Sequence, residues 1–348
     1  MIEYISLIDK LHDSGTLPFD DYQSLINIPE NKKDYLFNKA METRKQVFGN
    51  GVYMRGLIEL TNYCKNDCYY CGIRKSNDNL RRYRLSVEDA LECCKMGDEL
   101  GFKTFVIQGG EDPYYTEERI EEIVKSIKKS YPDSAITLSL GESSEGAYKR
   151  WFDAGADRYL LRHETATGKH YAKLHPQEML LSNRLDCLKT LKKIGYQTGT
   201  GFMVESPYQT DEDLARDLKF IEEFKPEMVG IGPFISHKDT QFKNFENGSV
   251  EKTLVLIAIL RLMNPKVLLP ATTALGSASE DGRERGILAG ANVVMPNITP
   301  KRLRKLYSLY DGKINTGADT AEGMELLKQK IERIGYKLLV DRGDYKGQ

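Results

Sequence analysis

The chain has 348 residues, 40% of them apolar and 29% charged, proportions of a soluble globular protein rather than a disordered one. Lys and Arg number 50 against 51 Asp and Glu, and a net charge of -1 gives no electrostatic case for nucleic acid or an anionic membrane as partner. The longest strongly apolar stretch, residues 253–263, is broken by Arg261 and is about half the length needed to span a bilayer.

The N-terminus carries acids early and lacks a basic start, an apolar core and a small-residue cleavage site. It does not read as a signal peptide, and the expected location is the cytoplasm. The first fifty residues read as helices, with Leu36, Phe37, Ala40 and Met41 at helical spacing and Gly49 able to end the segment. Residues 52–60 look like a buried strand. A cysteine loop follows, then a helix opened by Ser86 with Glu88 and Asp89 in its first turn. Strands are then expected at 103–108, 135–140, 157–162, 196–204, 228–231, 267–269 and 292–295. Helices are expected between them at 117–130, 147–154, 182–194, 211–224, 249–263 and 283–288, and two more at 301–309 and 320–334. Alternation implies a parallel sheet, and eight strands imply an α/β protein closed as a (β/α)8 TIM-type barrel. The expected division is an N-terminal helical extension over 1–50, the barrel over 51–300, and C-terminal helices over 301–348 packed on it.

Six cysteines are unevenly placed. Cys64, Cys68 and Cys71 share one loop with spacing C-x3-C-x2-C; Cys93 and Cys94 are adjacent and Cys187 is alone. A reducing cytoplasm disfavours disulfides, so the tight cluster reads as metal-binding or redox-active. A structural zinc site wants four ligands, and no second C-x2-C or H-x3-H exists in the chain. A redox C-x-x-C would use Cys68 and Cys71 but leaves Cys64 unexplained. A [4Fe–4S] cluster usually takes four thiolates, and three would leave one iron open to an outside ligand. The loop follows strand one, on the face where such barrels place their chemistry. Cys93, Cys94 and Cys187 read as small buried apolar residues.

The cysteine loop resembles that of the radical S-adenosylmethionine (SAM) superfamily, with Tyr70 as the aromatic common before the last cysteine. The resemblance implies one [4Fe–4S] cluster on Cys64, Cys68 and Cys71, with SAM on the open iron. One electron then cleaves SAM to methionine and a 5′-deoxyadenosyl radical. The cluster type implies anaerobic handling.

Other strand ends carry chemistry. Gln108, Gly109, Gly110 and Glu111 follow strand two and resemble the superfamily's GGE motif, where a carboxylate accepts from the SAM ammonium. Arg162 and Glu164 end strand four; alternation points both into the barrel mouth and His163 away. They read as a ligand-binding pair or as a structural ion pair. Arg184 opens the next helix, able to reach a SAM carboxylate or to lie in solvent. Arg55 interrupts an apolar strand, which is costly unless it meets an acid or an anionic ligand. Ile231 fits under an adenine ring or in the core. Thr272 and Thr273 offer hydroxyls to the cavity, and Met295, Tyr307 and Tyr310 are placed to close its rim or to pack.

Longer stretches narrow the resemblance. LTNYCKNDCYYCGIR, RRYRL, GGEDPYY, LSLGE, AGADRYLLRHET, GIGPF, LPATTALG and GANVVMPN together resemble the HydE family of [FeFe]-hydrogenase maturases, from about residue 52 to about 310. Methylornithine synthase shares the cysteine loop, the RRYRL-like stretch and GEDPYY; biotin synthase shares only the plan. The HydE resemblance implies a role in assembling the diiron subcluster of the hydrogenase. It also implies a cavity for a small-molecule or organometallic substrate that is anionic or sulfur-containing, maturation-protein partners and an electron donor. By matched motif, Gln108, Arg162, Glu164, Met295, Tyr307 and Tyr310 carry over as SAM- or cavity-lining residues. Arg55, Thr272, Thr273 and Tyr310 stand as substrate contacts, and Tyr70, Gly109, Gly110, Glu111 and Arg184 as SAM contacts. Some members of the family hold a second cluster near the C-terminus; the matching stretch here, NTGADTAEGM at 315–324, has no cysteine, so a single cluster is expected. Two other functions compete: an amino-acid carbon-skeleton mutase of the methylornithine synthase type, and an iron–sulfur carrier or scaffold.

Overall fold

The computed structural model of the chain describes residues 3–347. Helices Tyr4–Ser14, Phe19–Ile26 and Glu30–Phe48 come first and pack on helices Asp211–Phe224 and Val250–Met263. That cover is why Val250–Met263 is apolar all round and buried from Thr253 to Met263. Arg261 within it is satisfied by Gly290 O, Pro265 O and Asn292 Oδ1. Among the described residues no helix is long and apolar enough to cross a membrane.

Strands Gly56–Thr61, Thr104–Gly109, Ala135–Ser139, Arg158–Leu160, Gln197–Thr200 and Met228–Val229 pair in that order, all parallel. The round continues through single-residue bridges, Met228 to Leu268 and Pro270 to Val293. Val293–Val294 then pairs with Gly51–Met54, which leads back into the first strand. The alternating helices start where the sequence places caps. Ser86 with Asp89, and Thr210 with Asp213, form capping boxes, and Thr116 caps Glu117–Ser130.

The structure departs from expectation where tertiary contacts override local pattern. The strand expected over 52–60 is two, Gly51–Met54 and Gly56–Thr61. Arg55 marks the point where the partner changes from Val293–Val294 to Thr104–Gly109. The strands expected over 196–204 and 228–231 also break, with Met203–Val204 and Gly232–Pro233 pairing separately. Between them Gly201 and Gly230 touch, since a Cβ on Gly201 would lie 2.0 Å from Gly230 O. The helix expected over 301–309 stops at Arg304. Beyond it, Leu306 O accepts from Asn62 and Leu309 O from the Gly72 amide, bonds to the cysteine loop that replace helical ones. The helix expected over 320–334 begins only at Met324, after two 3-10 turns.

The last segment is a strand rather than a helix. Lys337–Leu339 pairs with Gly51–Met54. The chain then crosses the N-terminal ends of the barrel strands: Arg342 O accepts from Thr104 Oγ1 at 2.7 Å and Arg158 Nη2 at 2.8 Å, and the Tyr345 amide donates to Gln197 Oε1. The tail therefore covers the end of the barrel opposite the cysteine loop.

Candidate active site

The cysteine loop leaves the C-terminal end of Gly56–Thr61 and is pinned along its length. Arg82 donates to Ile73 O, Arg74 O, Asn77 O and Asn62 O, carbonyls on both sides of the three cysteines. The Tyr69 amide donates to Leu174 O and the Gly72 amide to Leu309 O. Gly72 is needed there, because a Cβ would lie 2.2 Å from Ser308 O. Cys64, Cys68 and Cys71 are all free and partly buried. Burial raises each thiol pKa, Cys71 to about 12, and the cysteines raise one another: Cys71 and Cys64 act on Cys68, and Cys64 on Cys71. Their sulfurs thus face one region. Among the described residues no group of His, Cys, Asp or Glu converges closely enough to hold a single metal ion. A cubane does not need such convergence, because each thiolate binds a different iron. The donor set and its spacing fit a [4Fe–4S] cluster with one iron left open, and such a cluster would satisfy three thiolates that burial otherwise disfavours.

The glycines after Thr104–Gly109 bring Glu111 against this loop. A Cβ on Gly110 would lie 2.1 Å from Tyr63 O and 2.8 Å from the Cys64 Cβ, so only glycine permits the approach. The Gly110 amide donates to Thr61 O and the Lys65 amide to Glu111 O. The Glu111 carboxylate accepts from the Glu142 amide at 3.0 Å and sits 3.2 Å from Lys65 Nζ and 3.9 Å from Arg184 Nη2. Arg184 is buried, not solvated, and its Nε lies 2.7 Å from Glu142 Oε1. Burial opposes its charge, but Tyr171, Glu142 and Glu111 more than offset that and raise its pKa.

Across the mouth, Arg162 and Glu164 face each other, Nη2 to Oε2 at 3.2 Å. His163 points the other way into the core, although the strand ends at Leu160 and the chain turns at Glu164 through a left-handed φ of +64°. The pair is not saturated: Arg162 Nε and Nη2 and Glu164 Oε2 are buried without a hydrogen bond. Tyr70 is close to both Glu164 and the thiols, and burial first, then those charges, raise its pKa. Its hydroxyl is 3.3 Å from His175 Nε2. His175 Nδ1 meets Tyr171 O at 3.0 Å and so carries the proton, leaving Nε2 to accept from Tyr70.

Below the mouth, Gln108 donates to the hydroxyl of buried Tyr307 at 3.3 Å. The Tyr307 ring lies 5.3 Å from Lys313 Nζ, which pairs with fully buried Glu59. Tyr310 is partly buried among Ser277, Glu59, Arg283 and Arg162; burial raises its pKa to about 12. Tyr307 and Tyr310 thus sit close to Gln108, Glu59 and Arg162. Met295 is a partly buried residue packed against a cluster of Phe48, Tyr53, Met228, Leu268 and Val293 in the deep part of the barrel. Arg55 lies in the same deep region, donating to Met228 Sδ at 3.1 Å and Gly343 O at 3.4 Å with Nε unbonded. It meets no acid directly; burial, then Arg158, lower its pKa. Thr272 donates to Ile231 O at 3.2 Å, and Thr273 opens the short helix Thr273–Ala278. Ile231 is a core residue. Cys93 and Cys94 are also core, and Cys187 reaches toward Ser143 O.

Sequence reasoning missed several groups. Glu59 was visible, a charge in an apolar strand on the same face as Arg55. Lys313, Glu142, Lys65 and Arg82 carried no pattern of their own, because their partners Glu59, Arg184, Glu111 and the cysteine-loop carbonyls meet them only in the folded chain.

Residues 58–221 match the radical SAM superfamily. The chain is 46% identical to the [FeFe] hydrogenase maturase subunit HydE of Thermotoga maritima, over 87% of this chain and 86% of that one. The chain belongs to the HydE family of radical SAM enzymes. Enzymes of this superfamily use a [4Fe–4S] cluster and SAM, so both are cofactors here. More distant is the 3-methylornithine synthase of Methanosarcina acetivorans, 30% identical over 94% of this chain and 91% of that one. A crystal structure of methylornithine synthase (PylB) superimposes with a TM-score of 0.83 at 27% identity, covering 96% of this chain and 97% of that one. HydE membership accords with the RHET and PATTA stretches around Arg162 and Thr272.

Proposed function

We propose that this HydE-family enzyme cleaves SAM at a cluster held by Cys64, Cys68 and Cys71, and does so in assembling the diiron subcluster of an [FeFe]-hydrogenase. The observation that carries this reading is the 46% identity to a maturase subunit over nearly the whole chain, against 30% to a mutase. When bound, the cluster supplies the electron that breaks SAM into methionine and a 5′-deoxyadenosyl radical. The chain's own residues do the rest. Glu111, held by Lys65 and Arg184, offers a carboxylate for the SAM ammonium. Gly109 and Gly110 let the backbone approach. Arg162 Nε has no partner and its Nη2 meets Glu164 Oε2 without a hydrogen bond, so the pair can take a carboxylate or hydroxyl oxygen, and Tyr70, Gln108 and Tyr307 line the wall beside it. Arg184 acts through Glu111 and Glu142. The substrate is a small molecule, anionic or sulfur-containing, taken between Tyr310, Thr272 and Thr273 above and Arg55 below. Met295, directly after the strand Val293–Val294, joins the cavity wall beside SAM. Residues 51–300 form the catalytic barrel, with 1–50 and 301–348 as extensions packed on it.

The test is anaerobic reconstitution with iron and sulfide, reduction, and a count of 5′-deoxyadenosine formed from SAM. The wild type is expected to form it and Cys71→Ser to lose it; unaltered cleavage by the variant would sink the assignment. The maturase role is tested by using this chain in place of HydE in a cell-free maturation of apo-hydrogenase, with hydrogen evolution as readout. Conversion of lysine to methylornithine by the loaded enzyme would favour the mutase instead. Cluster transfer to a partner with no 5′-deoxyadenosine would favour the carrier.

A further inference from the structure

Behind the Arg162–Glu164 pair lies a second polar pair that the SAM contacts leave unexplained. His163 and Asp217 are both 0% exposed. His163 Nε2 is 3.2 Å from Asp217 Oδ1, and Nδ1 is 2.8 Å from Thr200 Oγ1. The same Oδ1 accepts the backbone N–H of Ala166. That oxygen is therefore an acceptor, so the imidazole donates from Nε2 and Nδ1 accepts from the Thr200 hydroxyl. Phe202 and Phe220 rings close around the imidazole, with centroids at 5.8 and 4.7 Å. Asp217 is carried on Asp211–Phe224, a helix whose start is fixed by its capping box. The carboxyl is thus presented from a rigid element.

What the pair holds is the turn at Glu164. Glu164 has φ +64°, the left-handed region that a residue with a Cβ seldom adopts. Its amide donates to Gly201 O at 3.0 Å. Asp217 grips the chain on both sides of this residue, through the His163 side chain before it and the Ala166 amide after it. Stability alone does not call for a carboxyl here. Burying one is costly, Asp217 Oδ2 has no hydrogen bond, and a neutral amide oxygen would accept the same two N–H groups without a carboxyl. We propose that Asp217 is a positioning residue for SAM: through His163 and the Ala166 amide it fixes the left-handed turn at Glu164 and so aims Glu164 and Arg162 into the barrel mouth. This rests on the reading of Arg162 and Glu164 as SAM contacts.

The experiment measures binding of S-adenosylhomocysteine, which is not cleaved, to the cluster-loaded protein by calorimetry, and separately KM and kcat for SAM cleavage. Asp217→Ala is expected to weaken binding at least tenfold and to raise KM more than it lowers kcat, with iron content unchanged. Asp217→Asn keeps the Oδ1 acceptor and is expected to recover most of the affinity. Should the Ala variant not fold, Thr200→Val, which removes only the hydroxyl behind His163, is expected to weaken binding about threefold. If Glu164→Gln weakens binding but Asp217→Ala, or Thr200→Val in its stead, binds as tightly as wild type, the positioning role is overturned. If Glu164→Gln and Arg162→Ala both bind as wild type does, the SAM reading of the mouth fails and the proposal with it.

Discussion

Arg84 grips Asp112 with two hydrogen bonds, Nε to Oδ2 at 2.7 Å and Nη2 to Oδ1 at 2.9 Å. The pair joins the RRYRL stretch after the cysteines to the GGEDPYY stretch after the second barrel strand. Asp112 also accepts from Thr61 Oγ1 and the Tyr114 amide, and the guanidinium lies against the Tyr63 and Tyr114 rings at 3.9 and 4.5 Å. Burial opposes the charge of Asp112, but Arg84 and these donors hold its carboxyl below the usual range. The two motifs form one unit that sets Glu111 beside Cys64.

Arg84→Ala leaves Asp112 buried with its main partner gone. The expected cost is about 2 kcal/mol, less than for a wholly buried pair because Arg84 is partly exposed. Arg84→Lys is expected to recover little, since an ammonium cannot reproduce the bidentate fork or the stacking. Urea unfolding of the three proteins checks this; equal midpoints for wild type and Ala would refute it.

Arg82 makes a sharper prediction. Its four carbonyl acceptors lie on both arms of the cysteine loop, with donor distances of 2.8, 2.7 and 2.9 Å to Ile73, Arg74 and Asn77. None is a thiol, so substitution leaves the ligands themselves intact. Arg82→Ala is expected to lower iron retained after reconstitution several-fold, because the loop must then be ordered by the cluster alone. Iron analysis before and after gel filtration decides it, and full retention would show the loop to be held elsewhere.

How much of this was legible in the sequence varied by the range of the interaction. The capped helices Glu117–Ser130 and Asp211–Phe224 fall on their expected bounds, because N-cap, first-turn acids and apolar spacing are all local. The strand pair around Arg55 was not, since the break depends on which neighbour each half meets. The side chains of Cys64, Glu111 and Arg162 could be placed at one end of a barrel from alternation alone. Arg184 could not be distinguished from a solvent-exposed helix residue until Glu142, some forty residues earlier, was brought against it. The tail strand Lys337–Leu339 was invisible for the same reason: three residues show no period, and their partner lies at the start of the barrel.

Glu59 and Lys313 form a buried pair with side chains 0% and 8% exposed, joining the first barrel strand to the segment after Tyr310. Removing one partner strands a charge. Lys313→Met is therefore expected to cost about 3–5 kcal/mol. The double variant Glu59→Gln with Lys313→Met is expected to regain most of that, because no uncompensated charge remains. A double-mutant cycle in urea measures the coupling; strictly additive effects would mean the two residues are stabilised independently.

Asp344 gives the tail a pH dependence. Burial raises its pKa, but Arg342 and Arg158 outweigh that and hold it at about 2, against 3.8 in an ordinary carboxyl. The folded value is depressed, so the stabilisation is fully present above the unfolded value and is lost as pH falls from about 4 toward 2. Asp344 is 39% exposed, which screens the interaction and limits it to about 1 kcal/mol. Its partner Arg158 is wholly buried, and in Asp344→Asn that guanidinium lacks its acid at every pH. The variant is thus expected to be less stable than wild type at pH 7 and to approach it near pH 2.5. Urea midpoints of both proteins across that range test the sign, and a gap that stayed constant or widened on acidification would show that Asp344 does not clasp Arg158 in its charged form.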